Sequence, residues 1–266
     1  MEGWLAYIGL GLFSGFAAGL LGIGGGVVLV PVLTMIFTAQ SGFPADAALR
    51  MALGTSMATI LFTSISSLRA HHRHGAVMWR VVGQITPGIL AGTALGTLLA
   101  SRIPARPLGI VFALFILFTA AQMILDLKPK AARALPGAPG VLGVGMVIGI
   151  FSALVAIGGG TLTVPFLTWC NVRVQNAIGT SAAVGCPIAI GGTLGYIYNG
   201  WHDALLPSGA LGYVFLPALL WTVPFSMFAA PLGARVTYRL PMSTLKRVFA
   251  GLLILLAARM LWKLFV

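Results

Sequence analysis

The chain has 266 residues, 59% of them hydrophobic and only 8% charged, with a mean hydropathy of +1.01. A soluble domain carries about a quarter charged residues, so this composition excludes a water-soluble enzyme or binding module and describes a polytopic membrane protein. The formal net charge of +12 does not describe a nucleic-acid binder, because the basic residues sit in short connections between apolar runs, without a basic domain or aromatic–basic interleaving.

In chain order, the first element is a long apolar stretch, Trp4–Phe37, interrupted by GIGGGVVLVP at Gly22–Pro31. No Lys or Arg precedes Arg50, so the basic n-region of a signal peptide is missing, and the first helix is expected to be retained. After a loop at Ala39–Ala48 come three runs, Met51–Leu68, Val81–Ala100 and Pro107–Leu125, each close to the ~20 residues a bilayer requires. The segment Leu127–Pro139, with Lys128, Lys130, Arg133, Pro136 and Pro139, reads as a linker.

The order then starts again. Gly140–Cys170 carries AIGGGTLTVP at Ala156–Pro165, and three more runs follow at Ala177–Tyr198, Gly209–Gly233 and Arg247–Trp262. Further matches bind the halves together: LGTS at Leu53–Ser56 with IGTS at Ile178–Ser181, Pro87 with Pro224, Gly96 with Gly233, and Arg102-Ile103-Pro104 with Arg239-Leu240-Pro241. Self-similarity on this scale is the mark of a duplicated unit. The predicted organisation is repeat 1 at 1–130, a linker at 131–139 and repeat 2 at 140–266. The predicted fold is all-α, each repeat being a glycine-broken helical hairpin followed by three transmembrane helices.

Lys and Arg set the orientation. The connections Arg69–Arg80 and Ala234–Arg247 and the linker are rich in both and are expected in the cytoplasm, whereas Asn199–Ser208 has neither and is expected outside. If each glycine hairpin enters and leaves on one side, 11 of the 16 basic residues lie inside, the exceptions being Arg50, Arg102, Arg106, Arg259 and Lys263. Each repeat then crosses an odd number of times, so the two are inverted. Eight plain spans, the alternative, fit the charges less well.

Helix breaks at matching positions of two halves point to a transporter's substrate site. Gly24, Gly25 and Gly26, and Gly158, Gly159 and Gly160, allow sharp turns and close backbone approach. A half-helix beginning there offers its N-terminal N–H groups to an anion. Pro31 and Pro165 each remove an N–H and release a carbonyl one turn earlier. Thr55, Ser56, Thr180 and Ser181 supply hydroxyls beside these breaks, and Thr161 follows the second one. The competing reading is structural: glycines for close helix packing and hydroxyls bonded back to their own helix. The four acidic residues, Glu2, Asp46, Asp126 and Asp203, all fall at ends or connections. A proton- or sodium-coupled carrier often keeps an intramembrane carboxylate, so the pattern favours an anion path. His71, His72 and His74 read as part of a solvated basic loop. Cys170 and Cys186 have no metal-motif spacing, and no cofactor or metal site is expected. Nucleophile–base pair, Walker loop and dinucleotide fingerprint are all lacking.

GIGGGVVLVP, AIGGGTLTVP and the GTS motifs at Gly54–Ser56 and Gly179–Ser181 resemble those of the sulfite exporter TauE/SafE family, and the duplicated layout extends this likeness over nearly the full chain. The resemblance implies a plasma-membrane transporter of small sulfur oxyanions or organosulfonates, with the triple glycines and following prolines of both halves at the substrate site. The departure of Ala156 from Gly22 leaves the first copy with more backbone freedom, and Thr161 against Val27 makes the two half-sites non-identical. The expected mechanism is export by alternating access around a neutral, donor-rich pocket. The expected partners are a small anion and the lipid bilayer. Gly25→Leu or Gly159→Leu is expected to abolish transport in a protein that still folds. A transporter or channel for another small anion or metabolite, or an intramembrane enzyme, stays open, as do substrate, direction, coupling ion and oligomeric state.

Overall fold

The computed structural model describes residues 3–21, 25–40, 42–125, 134–237 and 242–265. Gly24, the 131–133 part of the linker and the Arg239-Leu240-Pro241 match lie outside them. The described chain is almost wholly helical. In the first half, α1 (Gly3–Leu21) and α2 (Gly26–Ala39) form the broken hairpin, followed by α3 (Ala45–Arg73), α4 (Trp79–Arg102) and α5 (Ala105–Ile124). In the second, α6 (Ala138–Leu154) and α7 (Gly160–Trp169) form the hairpin, followed by α8 (Val174–Gly200), α9 (Leu216–Thr237) and α10 (Met242–Phe265). Five helices among the described residues, α3, α4, α5, α8 and α9, are long and apolar enough to cross a membrane.

One expected span begins differently. Residues Gly209–Phe215 are not helical: Ala210–Leu211 (β1) pairs antiparallel with Val214–Phe215 (β2). The turn between them has Gly212 at its first central position with φ of +54°, where a tight hairpin turn favours glycine. Tyr213 at the tip is buried and donates its hydroxyl to Asp203 Oδ2 at 3.3 Å. Burial pushes this phenol above its ordinary range, so it remains a donor at neutral pH.

Packing is exchanged between the halves. α1 lies along α9 and α6 lies along α4, the two most extensive helix pairings. α3 packs on α8, and α5 on α10. The exchanged pairs are matched residue by residue. A Cβ added to Gly11 or Gly15 of α1 would strike the Thr222 or Ser226 carbonyl of α9, and one added to Gly145 or Gly149 of α6 would strike the Ile85 or Ile89 carbonyl of α4. Helices brought together in lipid gain little from apolar burial and rely on close contact of small residues. These glycines, four apart on each helix, supply that contact.

The core lies where α2, α3 and α8 meet, with Leu29, Leu33, Phe37, Met51, Leu53, Met57, Ile188 and Tyr196 all at 2% exposure or less. Outward faces remain apolar, as Leu114 and Phe118 of α5 and Leu220 and Phe228 of α9 illustrate. Such a surface suits hydrocarbon rather than water. Arg50, an exception to the charge pattern, is taken up by the fold: its guanidinium donates to the Ala100 carbonyl at 3.3 Å and the Ile103 carbonyl at 3.0 Å. It caps the C-terminal end of α4, where carbonyls lack intrahelical donors.

Candidate functional site: two glycine breaks and a cavity

Each break is achieved with different backbone geometry. In the first, Gly25 stands at φ +68° immediately before α2, a left-handed conformation that a side chain resists. In the second, Gly159 is right-handed, at φ −55°, and the chain turns instead at Ala156, with φ +43°. This is the position where the first copy carries Gly22. The breaks touch: a Cβ on Gly26 would collide with the Ala156 carbonyl oxygen. Neither α2 nor α7 has a side-chain cap at its N-terminus. The first bonds back to the caps are donated by Val28 to Gly25 and by Thr163 to Gly159, so the preceding N–H groups have no intrahelical acceptor.

A cavity of about 680 Å³ lies against the second break. Gly158, Gly159 and Gly160 form one wall and Ser181 and Gly185 of α8 another. The third is a face of α3, where Ile60, Thr63, Ser64, Ser67, His71 and His74 recur at helical spacing. Ala18 and Gly19 of α1 and Ala230 and Pro231 of α9 complete it. Of the residues singled out from sequence, Gly158, Gly159, Gly160 and Ser181 are brought together here. Thr161 is the second residue of α7, 7% exposed, with a hydroxyl that has no hydrogen-bond partner. Gly25, Gly26, Pro31, Ser56 and Pro165 lie elsewhere, Pro31 inside α2 and Pro165 inside α7.

The GTS threonines have a definite task. The main-chain N–H of Phe215 donates to Thr55 Oγ1 at 2.9 Å, and that of Met78 donates to Thr180 Oγ1 at 3.0 Å. Met78 and Phe215 are repeat equivalents, each immediately preceding its helix, α4 or α9. The adjoining glycines complete the clasp. A Cβ on Gly54 would lie 2.5 Å from the Tyr213 carbonyl oxygen, and one on Gly179 would lie 2.6 Å from that of Ala76. In each motif, therefore, glycine admits the incoming segment of the other half and threonine accepts its N–H. Ser181 bonds back to the Ile178 carbonyl at 2.9 Å, while Ser56, wholly buried, has no partner.

Sequence reasoning missed the α3 face. His71 lies inside α3, which continues to Arg73, and the exposed His74 is its C-cap; both line the cavity wall. Their spacing from Thr63, Ser64 and Ser67, at three and four residues, was the available signal. His72 points elsewhere and accepts from Trp79 Nε1 at 3.3 Å. The described carboxylates, Asp46 and Asp203, are absent from the cavity wall. Among the described residues no three His, Cys, Asp or Glu side chains are grouped to hold a metal. Cys170 and Cys186 are not joined in a disulfide.

The model of the Sulfite exporter TauE/SafE family matches residues 7–260. The chain belongs to this family. It is 38% identical over 256 residues to a probable membrane transporter protein of Haemophilus influenzae, covering 96% of each chain. It is 30% identical to the probable membrane transporter protein YdhB of Bacillus subtilis, over 91% of this chain and 96% of that one. A probable membrane transporter protein of Methanocaldococcus jannaschii is 28% identical, over 92% and 90%. No solved structure matches the chain significantly. Family membership and the long apolar helices make this a multi-pass membrane protein of a transporter family.

Proposed function

We propose that this family member transports a small sulfur-containing oxyanion, sulfite or an organosulfonate, across the cell membrane. The supporting observation is the cavity at the second break: backbone donors at the start of α7, hydroxyls on α3 and α8, His71 and His74, and no carboxylate among its described wall residues. N–H groups at a helix terminus favour an anion. With no Arg or Lys among the described wall residues, the site binds it by hydrogen bonds and dipoles, weakly enough for release. The family's description and the cavity's position beside the basic C-terminal end of α3, expected in the cytoplasm, support export. Reciprocal packing of the halves and the Lys/Arg pattern support inverted repeats 1–130 and 140–266. One repeat rocking on the other would expose the site alternately.

The test is thermal stability of detergent-purified protein against sulfite, sulfate, thiosulfate, sulfoacetate, taurine, phosphate and chloride. A ligand that binds the folded state raises the melting temperature by mass action. A selective rise with sulfite or a sulfonate supports the reading, and no rise with any sulfur anion overturns it. Ser181→Ala is a better site probe than leucine at the glycines. Gly25 is left-handed, and a Cβ on Gly159 would sit 2.8 Å from the Ser181 carbonyl oxygen, so leucine at either position strains the fold itself.

A further inference from the structure

The cavity wall has a counterpart through the sequence repeat, and that counterpart is shut. Ser181 of the wall corresponds to Ser56, Ala18 to Ser152, Gly19 to Ala153 and His71 to Tyr196. All four counterparts are at 3% exposure or less. The Tyr196 side chain occupies the space, and its hydroxyl donates to the Ala153 carbonyl at 2.8 Å. That carbonyl lies in the last turn of α6, where no intrahelical donor reaches it, so Tyr196 fastens α8 to the end of α6 just before the second break. Met57 fills the adjoining gap, its sulfur 2.9 Å from where a Gly192 Cβ would stand.

Two hydroxyls in this region are left over. Ser56 and Ser152 are 0% and 1% exposed, and neither Oγ has a hydrogen-bond partner. Buried hydroxyls are nearly always paired, and an unpaired one makes a closed arrangement less favourable. Both stand where the repeat places the wall of the open cavity.

We propose that Ser56 and Ser152 line a second half-site for the transported oxyanion, opened on the opposite membrane face when the first cavity closes, with the Tyr196 hydroxyl on Ala153 as its latch. This rests on the alternating-access reading above. Opening requires the Tyr196 ring to leave the space between α3, α6 and α8. The bond to Ala153 then breaks, and the two hydroxyls become donors to the anion.

Single cysteines at Ser152 and His74, in a chain with Cys170→Ala and Cys186→Ala, test this with a membrane-impermeant maleimide applied to intact cells and to inverted vesicles. Ser152→Cys is expected to label from the face opposite to His74→Cys. Adding Tyr196→Phe is expected to raise its labelling rate severalfold. Labelling from the His74 face, from neither face, or at a rate unchanged by Tyr196→Phe overturns the proposal. Should Tyr196→Phe fail to insert, Met57→Ala thins the same wall and is read by the same criteria. Labelling needs no substrate, so it fails or succeeds independently of the sulfur-anion reading, on which the melting-temperature panel reports.

Discussion

Thr55 and Phe215 stand 160 residues apart in the chain, yet the Phe215 N–H meets the Thr55 hydroxyl at 2.9 Å. Thr180 holds the Met78 N–H in the same way at 3.0 Å. In each case a donor that precedes a helix of one half is satisfied by a side chain from the other. A buried N–H left without an acceptor costs about 1–3 kcal/mol. Thr55→Val keeps the shape and removes the acceptor, so it is expected to lower stability by about that amount, whereas Thr55→Ser retains most of it. Thermal unfolding in detergent, read by tryptophan fluorescence, measures both. A valine variant as stable as wild type would remove the clasp as a stabilising device.

Ala156 holds φ at +43°, where an L-residue is disfavoured by about 1–2 kcal/mol. Ala156→Gly removes that strain but adds freedom to the unfolded chain, at about 0.5–1 kcal/mol. A net gain of several tenths of a kcal/mol is expected, seen as a small rise in melting temperature. A fall would mean that the Ala156 methyl contributes packing that outweighs its backbone strain.

Gly26→Ala is expected to act in the opposite direction. Its new methyl would meet the Ala156 carbonyl, and backbone, unlike a side-chain tip, has no rotamer to move into. Overpacking of this kind typically costs about 1–3 kcal/mol. If the two breaks also move relative to each other during transport, flux should fall further than stability, a comparison of uptake against melting temperature.

Arg50→Met removes the donors to Ala100 and Ile103. Hydrogen bonds to charged groups contribute about 1.5–3 kcal/mol each, discounted here because Arg50 is only half-buried, so a loss of about 1–3 kcal/mol in total is expected. Orientation should be unchanged, because the charge serves a helix end rather than the topology. Reporter fusions to both ends of α3 would show an inverted protein if that assignment were wrong.

Ser181→Ala and His71→Asn probe the cavity. Both should leave the ligand-free melting temperature within about 2–4 °C of wild type, since neither side chain carries the core and ΔΔG near 1 kcal/mol shifts a domain of this size by that much. The rise induced by sulfite or a sulfonate should shrink in each. An undiminished rise in both would place the anion somewhere other than this cavity.

The helices were legible in sequence because lipid demands long apolar runs, and Val81–Ala100 became α4 (Trp79–Arg102) with two residues added at each end. The glycine breaks were legible because no membrane helix gains from Gly-Gly-Gly-Val-Val or Gly-Gly-Gly-Thr-Leu. The GTS motifs were visible, but their partners were not. Thr55 and Thr180 look like ligand donors until Phe215 and Met78 are placed beside them, and that pairing depends on the exchange of helices between halves. The β1–β2 hairpin was hidden because Gly209–Phe215 is apolar enough to extend a span. The histidines were assigned to a loop because an Arg/His run resembles one, although α3 continues through His71 and His72 and ends only at Arg73.

The exchanged seating of α1 on α9 and of α6 on α4 carries a lesson about assembly. Neither half can bury its own leading helix: the glycine face of α1 finds its partner only after most of the chain has been made. In packing terms the molecule is a swapped dimer whose two protomers share one backbone. A chain severed in the linker would give two fragments that need each other's company in the bilayer before either is complete.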